Sequence, residues 1–232
     1  MRRPASADTK SNRAQAREKR IRGASKSPEP ADNVKTRATA HAARGAAAVG
    51  LRGYYIDPLL LGPPSRWAPA LDRCADMGFD TIVIAPPFES VLANDRFLVE
   101  DYTRCDARIG DMGAADMLSG VADVCASRNL ILILDIAPDR CAASNPDVRE
   151  NPHLYTLCAP PGTALPDPRA PSSTLLAAAA RFGQDDAIGE LQEIWRKRIE
   201  QWLGCGIGGF RCTQPARLPA RAWRALIDAA RG

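Results

Sequence analysis

Three stretches of the sequence put polar chemistry at the end of an apolar run. Asp135 lies at the end of the nearly all-apolar residues 130–136, and Asp139-Arg140 follow within one short loop. Arg211 comes at the end of a second run that starts at Ile207, with Cys212 and Thr213 directly behind it. Asp101-Tyr102 stand in a polar stretch with Asp95 and Glu100, downstream of Pro86-Pro87-Phe88. A carboxylate in such a place can accept a hydrogen bond from a ligand hydroxyl or cap the loop it begins. An arginine can orient a carboxylate through a two-pronged contact or hydrogen-bond its own loop. Cys212 has no base or pKa-lowering neighbour legible in sequence, so it reads as a buried thiol. His41 and His153 are isolated from one another and from the cysteines, which gives no ligand cluster.

Several chemistries are excluded at this level. Residues 57–64, after the first strand-like run, contain neither G-x-G-x-x-G nor G-K-[ST], so no dinucleotide or phosphate cradle is expected there. Seven cysteines without a C-x-x-C pair argue against a zinc site or a secreted disulfide framework. No cofactor and no metal are expected. No apolar run reaches the ~18 residues of a membrane span, and Arg2-Arg3 have no apolar segment behind them. Reduced thiols place the expectation in a cytoplasm.

Positioning elements alternate along the chain. Gly53-Tyr54-Tyr55-Ile56 reads as a strand closed by Asp57-Pro58. Ser65 is placed to cap a helix whose stripe is Trp67, Ala70, Leu71, Cys74 and Met77, ended by Gly78. Thr81 to Ala85 reads as a buried strand. Residues 116–128 fit a helix with Met117, Leu118, Val121, Val124 and Cys125 on one side. Residues 130–136 form the third strand, followed by a loop rich in Pro, Asn and Asp over 138–171. A helix over about 185–203 carries Ile188, Leu191, Trp195, Ile199 and Trp202, with Asp185-Asp186 at its positive end. Ile207 to Arg211 is the fourth strand. Pro219 opens a last helix with Trp223, Leu226 and Ile227. The four tryptophans fall on helix stripes and read as core. This βαβαβαβα order predicts a parallel sheet with covering helices, either an open doubly wound sheet or part of a (β/α)8 TIM barrel of about four β/α units. In a barrel, chemistry sits at the C-terminal strand ends, where the polar stretches fall.

Charge divides the chain. The net +4 combines +8 in residues 1–50 with −4 in residues 51–232. The first segment has few apolar residues besides alanine, so it reads as a disordered basic tail. Weak nucleic-acid contact is expected of the tail alone, and none of the acidic part.

Residues 53–231 resemble the α-amylase superfamily, glycoside hydrolase family 13. Asp101-Tyr102 with Ile109-Gly110, residues 130–135 ending in Asp135, and Gly208-Gly209-Phe210-Arg211 carry the resemblance, in the family's order. Tyr54-Tyr55, Pro86-Pro87-Phe88 and Leu165-Pro166-Asp167-Pro168-Arg169 are most similar to the bacterial maltosyltransferase branch, which builds α-1,4-glucan from maltose 1-phosphate. The resemblance implies α-glucan or maltooligosaccharide as ligand, retaining glycosyl transfer or hydrolysis as reaction, and Asp101, Tyr102, Asp135, Arg140 and Arg211 as substrate-binding positions. It also sets out the departures. Thr213 stands at the position of the nucleophilic aspartate, and a threonine hydroxyl without an activating base is a poor nucleophile toward a glycosidic carbon. Asp139 and Arg140 stand where the family has Asn and His, so calcium and the sugar-contacting imidazole are not expected. The acid/base glutamate and a further aspartate belong to later strands of the family barrel. The expectation is therefore the N-terminal half of a barrel, residues 51–232, catalytically incompetent alone. Such a half-barrel is expected to bind glucan without turnover, to pair with itself or another barrel chain, or to be a truncated remnant.

Overall fold

A computed structural model describes residues 50–159 and 176–231 of the chain. The basic tail and the stretch at 165–169 lie outside the described residues. Four strands form one parallel sheet: β1 (Gly53–Ile56), β2 (Thr81–Ile84), β5 (Ile131–Ile136) and β9 (Gly209–Cys212). Their spatial order is β1-β2-β5-β9, the order of the sequence, and each adjacent pair is parallel. A doubly wound sheet reverses its strand order at a switch point. This sheet has no such point, so it is wound in one direction, as in a barrel.

The register explains where the core lies. Ile56, Ile84, Leu134 and Phe210 occupy one row across the four strands, and Ile82 pairs with Leu132 two residues earlier. Side chains alternate between sheet faces, so these residues share the face that the helices cover. Helix α2 (Ala68–Asp76) buries Leu71 and Cys74 there. Helix α3 (Ala114–Ala126) adds Met117, Leu118, Val121 and Cys125. Helix α5 (Ile188–Gly204) adds Leu191, Trp195, Ile199 and Trp202, and α6 (Ala220–Arg231) adds Ala222 and Leu226. All join one core with the strand residues. The opposite row is Tyr55, Val83, Ile133 and Gly209, which the helices leave uncovered.

Trp195 and Trp202 are buried on the stripe of α5, Trp67 is buried just before α2 begins, and Trp223 is half-buried. Gly78 closes α2 with φ of 83°, a conformation natural to glycine. Gly208 is required for a different reason: a Cβ there would lie 2.5 Å from Ile131 Cγ2, so β9 could not approach β5.

Several sequence expectations are corrected. Ser65 does not cap a helix. It lies in a 3-10 turn, Pro64–Arg66, and α2 begins after it at Ala68. Met77 lies just past α2 and is exposed. The stretch expected as a loop after β2 is an antiparallel hairpin, β3 (Phe88–Leu92) and β4 (Asp95–Cys105). The long expected loop after β5 contains structure as well. It holds β6 (Arg140–Ala142), a short helix at Pro146–Glu150 and β7 (Tyr155–Cys158), and β8 (Ala177–Ala180) pairs with both strands. Helix α5 starts at Ile188, beyond Asp185-Asp186, which instead meet Arg221 and Arg181. Among the described residues, no helix is long and apolar enough to cross a membrane.

Candidate functional site

The C-terminal ends of the four parallel strands bring polar residues to one end of the sheet. At the end of β1, the Asp57 carboxylate accepts the backbone N–H of Leu59 at 3.0 Å and so caps the next helical turn, Pro58–Leu61. At the end of β5, the Asp135 side chain is fully buried. Register places Asp135 opposite Arg211 of β9. Arg211 Nε and Nη2 donate to the two Asp135 oxygens, each at 2.6 Å. This two-pronged pairing satisfies a carboxylate that burial alone would penalise. Arg211 remains 50% exposed, and its guanidinium lies 4.7 Å from the centre of the Tyr55 ring. The hydrogen bond to Asp135 raises the Arg211 pKa. Burial, followed by the negative charge of Asp135, raises that of the Tyr55 hydroxyl. Arg211 is therefore committed to the Asp135 carboxylate rather than to its own loop.

Beyond this pair lies a second cluster. Asp139 is buried and receives Arg140 Nη1 at 3.0 and 3.2 Å and Arg217 Nη1 at 3.3 Å. Arg140 is itself buried, with its guanidinium 5.9 Å from the Phe97 ring centre. Cys212 lies between the clusters. Burial, then Asp139 and Asp135, push its thiol up to about 12, which keeps it protonated and unreactive near neutrality. Thr213 follows, with its Oγ1 buried and without a hydrogen-bond partner among the described residues.

The structure separates Asp101 from Tyr102. Consecutive residues of a strand point to opposite faces, and both lie on β4. Tyr102 turns inward and packs against Phe88, Trp195 and Trp202, with the Arg198 guanidinium 3.9 Å from its ring centre. It lines a small crevice that Asp135 also lines. Asp101 turns outward, where its carboxylate accepts the Thr103 amide and hydroxyl, each at 2.7 Å, and it borders a shallow groove with Glu100 and Arg104. Asp135, Arg211 and Tyr102 thus converge on the strand ends, Arg140 stands beside them within its own ion pair, and Asp101 stands apart.

Sequence reasoning missed a further buried group. Asp106, 6% exposed, receives Arg96 Nη1 at 2.6 Å and Arg108 Nε and Nη2 at 2.9 and 2.7 Å. The Arg108 hydrogen bonds, helped by Arg96, hold its carboxyl far below the usual carboxylate range despite burial. Its nearest signal in sequence is the two-residue spacing from Asp106 to Arg108, which does not reveal Arg96. Among the described residues, no group of three or more His, Cys, Asp and Glu could hold a metal ion.

No family model matches the chain. The alpha-1,4-glucan:maltose-1-phosphate maltosyltransferase of Burkholderia pseudomallei is 26% identical over 179 residues, covering 77% of this chain and 16% of that protein. The enzyme of the same name from Arcanobacterium haemolyticum is 27% identical over 177 residues, covering 68% of this chain and 25% of its own length. The chain is similar to the α-amylase superfamily, on its bacterial maltosyltransferase side. Among solved structures, the maltogenic α-amylase AmyB of Thermotoga neapolitana superposes with a TM-score of 0.59 at 18% identity, over 78% of this chain and 42% of that one. An α-amylase of Lactobacillus plantarum gives 0.57 at 15% identity, over 77% and 42%. These superpositions speak to the fold, an α/β architecture of the α-amylase barrel type. The chain spans about a sixth to a quarter of the length of the curated relatives it matches.

Proposed function

We propose that this chain is an α-amylase-family protein of α-glucan or maltose-unit metabolism whose strand-end site does not by itself carry out glycosyl transfer or hydrolysis. On this reading the described parallel units are the first half of a (β/α)8 barrel, and the site is the end of β5 and β9. One observation carries it. Arg211 is turned fully onto Asp135, and two residues later the chain offers the hydroxyl of Thr213 rather than a second carboxylate. A retaining glycosidase needs two carboxyl groups about 5–5.5 Å apart, one to attack and one to protonate the leaving oxygen. Asp135 is buried and doubly hydrogen-bonded, so it is not free to attack.

A second reading, a non-catalytic glucan-binding module, is favoured by Tyr55. Tyr55 is 45% exposed beside the Asp135–Arg211 pair and offers a sugar an aromatic ring next to the half-exposed Arg211 guanidinium. The test is a thermal unfolding scan of the purified chain with and without maltooligosaccharides. A saturable rise in Tm is expected, lost in Tyr55→Ala, because a ligand that binds only the folded state stabilises it. An unchanged Tm at millimolar maltooligosaccharide would count against glucan as the ligand.

A further inference from the structure

The β3–β4 hairpin supplies much of the crevice beside Asp135, yet it is not part of the parallel sheet. Phe88, Phe97, Val99 and Tyr102 form its share of the wall, facing Asp135 from the strand ends and Trp195 and Trp202 from α5. Something must fix the hairpin's position against β2. Asn145 Nδ2 donates to Val99 O at 3.1 Å and Phe88 packs in the core, and on the β2 side a set of polar contacts converges on Asp106, just past the end of β4. Its backbone N–H donates to Pro87 O at 2.9 Å. Its carboxylate takes Arg96 Nη1 at 2.6 Å, and Arg96 Nη2 reaches on to Pro86 O at 2.8 Å. Arg108 closes the other side through its amide and both Nε and Nη2. Arg96 immediately precedes Phe97, and Pro86 itself lines the crevice.

We infer that Asp106 is a positioning residue, a buried latch that holds the hairpin's aromatic wall closed over Asp135. The inference rests on reading the end of β5 as the site, but its test does not require sugar. Replacing the carboxylate by an amide of the same size removes the charge that two guanidiniums share. Arg96, buried with it, then has no anion. The hairpin opens while the parallel sheet, held by its own ladder and core, stays shut.

The experiment is hydrogen exchange on the full chain, comparing wild type with Asp106→Asn and with Arg108→Gln. In Asp106→Asn, amides of residues 88–105 are expected to exchange at least about tenfold faster while those of β2 and β5 keep their rates. Arg108→Gln, which leaves the Arg96 pair intact, is expected to show the same pattern at a few-fold. Near-ultraviolet circular dichroism supplies a second readout. The signal of the stacked Phe88–Trp202 pair, whose ring centres are 5.2 Å apart, is expected to fall with the far-ultraviolet spectrum unchanged. If Asp106→Asn does not fold, the Arg108→Gln pattern decides. Equal acceleration of hairpin and sheet, or none in either, overturns the latch. A chain that exchanges as expected but ignores maltooligosaccharides would sink the glucan reading and leave the latch standing.

Discussion

Among the described residues, Asp106, Asp135 and Asp139 are buried and held by arginines, and the first two carry different consequences. Asp106 is ionised far below its usual range, because Arg108 and Arg96 both bind it. A carboxyl whose pKa is lower folded than unfolded contributes stability that is fully present above its unfolded pKa and lost as pH falls through the folded value. Acid should therefore destabilise wild type progressively from about pH 5 downward. Asp106→Asn should be less stable near neutrality and should lose less between pH 5 and pH 2, as urea melts across that range would show. Asp135 makes a different case. It is fully buried and its arginine is half-exposed, so Arg211→Ala strands an uncompensated buried charge. The expected loss is about 3–5 kcal/mol, read as a shift in the urea midpoint. An effect under about 1 kcal/mol, the range of exposed pairs, would mean that water reaches Asp135. In sequence, Asp135 and Arg211 stood out because each ends an apolar run. The pairing between them did not, because it depends on β5 and β9 lying side by side across 76 residues.

The parallel elements were legible because their signals are local. Residues 130–134 and 82–84 are continuous apolar runs, and α3 and α5 carry clear stripes. The hairpin was not legible. Asp95, Arg96, Glu100, Asp101 and Arg104 interrupt its strands, and its turn is Ala93-Asn94, without the glycine that marks a tight hairpin. Arg96 and Asp106 read as surface charges until the fold buries them against each other. The sheet around β6, β7 and β8 was hidden for a related reason, since β8 is four alanines with no alternation to read. Packing between elements also makes a prediction. Gly208→Ala places a methyl group 2.5 Å from Ile131 Cγ2, so β9 must shift away from β5. The expected cost is about 1–3 kcal/mol, and the paired variant Gly208→Ala/Ile131→Val should recover part of it. No recovery would mean that the constraint at 208 lies in the backbone rather than in that contact.

At the scale of the whole molecule, the strand order decides the architecture. A sheet wound in one direction with helices on one face leaves its other face, with Tyr55, Val83 and Ile133, uncovered by them. Such a sheet gathers its strand ends at one end, where Asp135 pairs with Arg211 and Thr213 follows, on the proposed reading at the place of the family's nucleophile. The most direct measurement is turnover by the purified chain: reducing ends released from maltooligosaccharides and phosphate released from maltose 1-phosphate, for wild type beside Asp135→Ala. The two proteins are expected to give the same background rate with both substrates. Turnover by wild type that disappears in Asp135→Ala would contradict the proposed reading and would make this strand end a working active site.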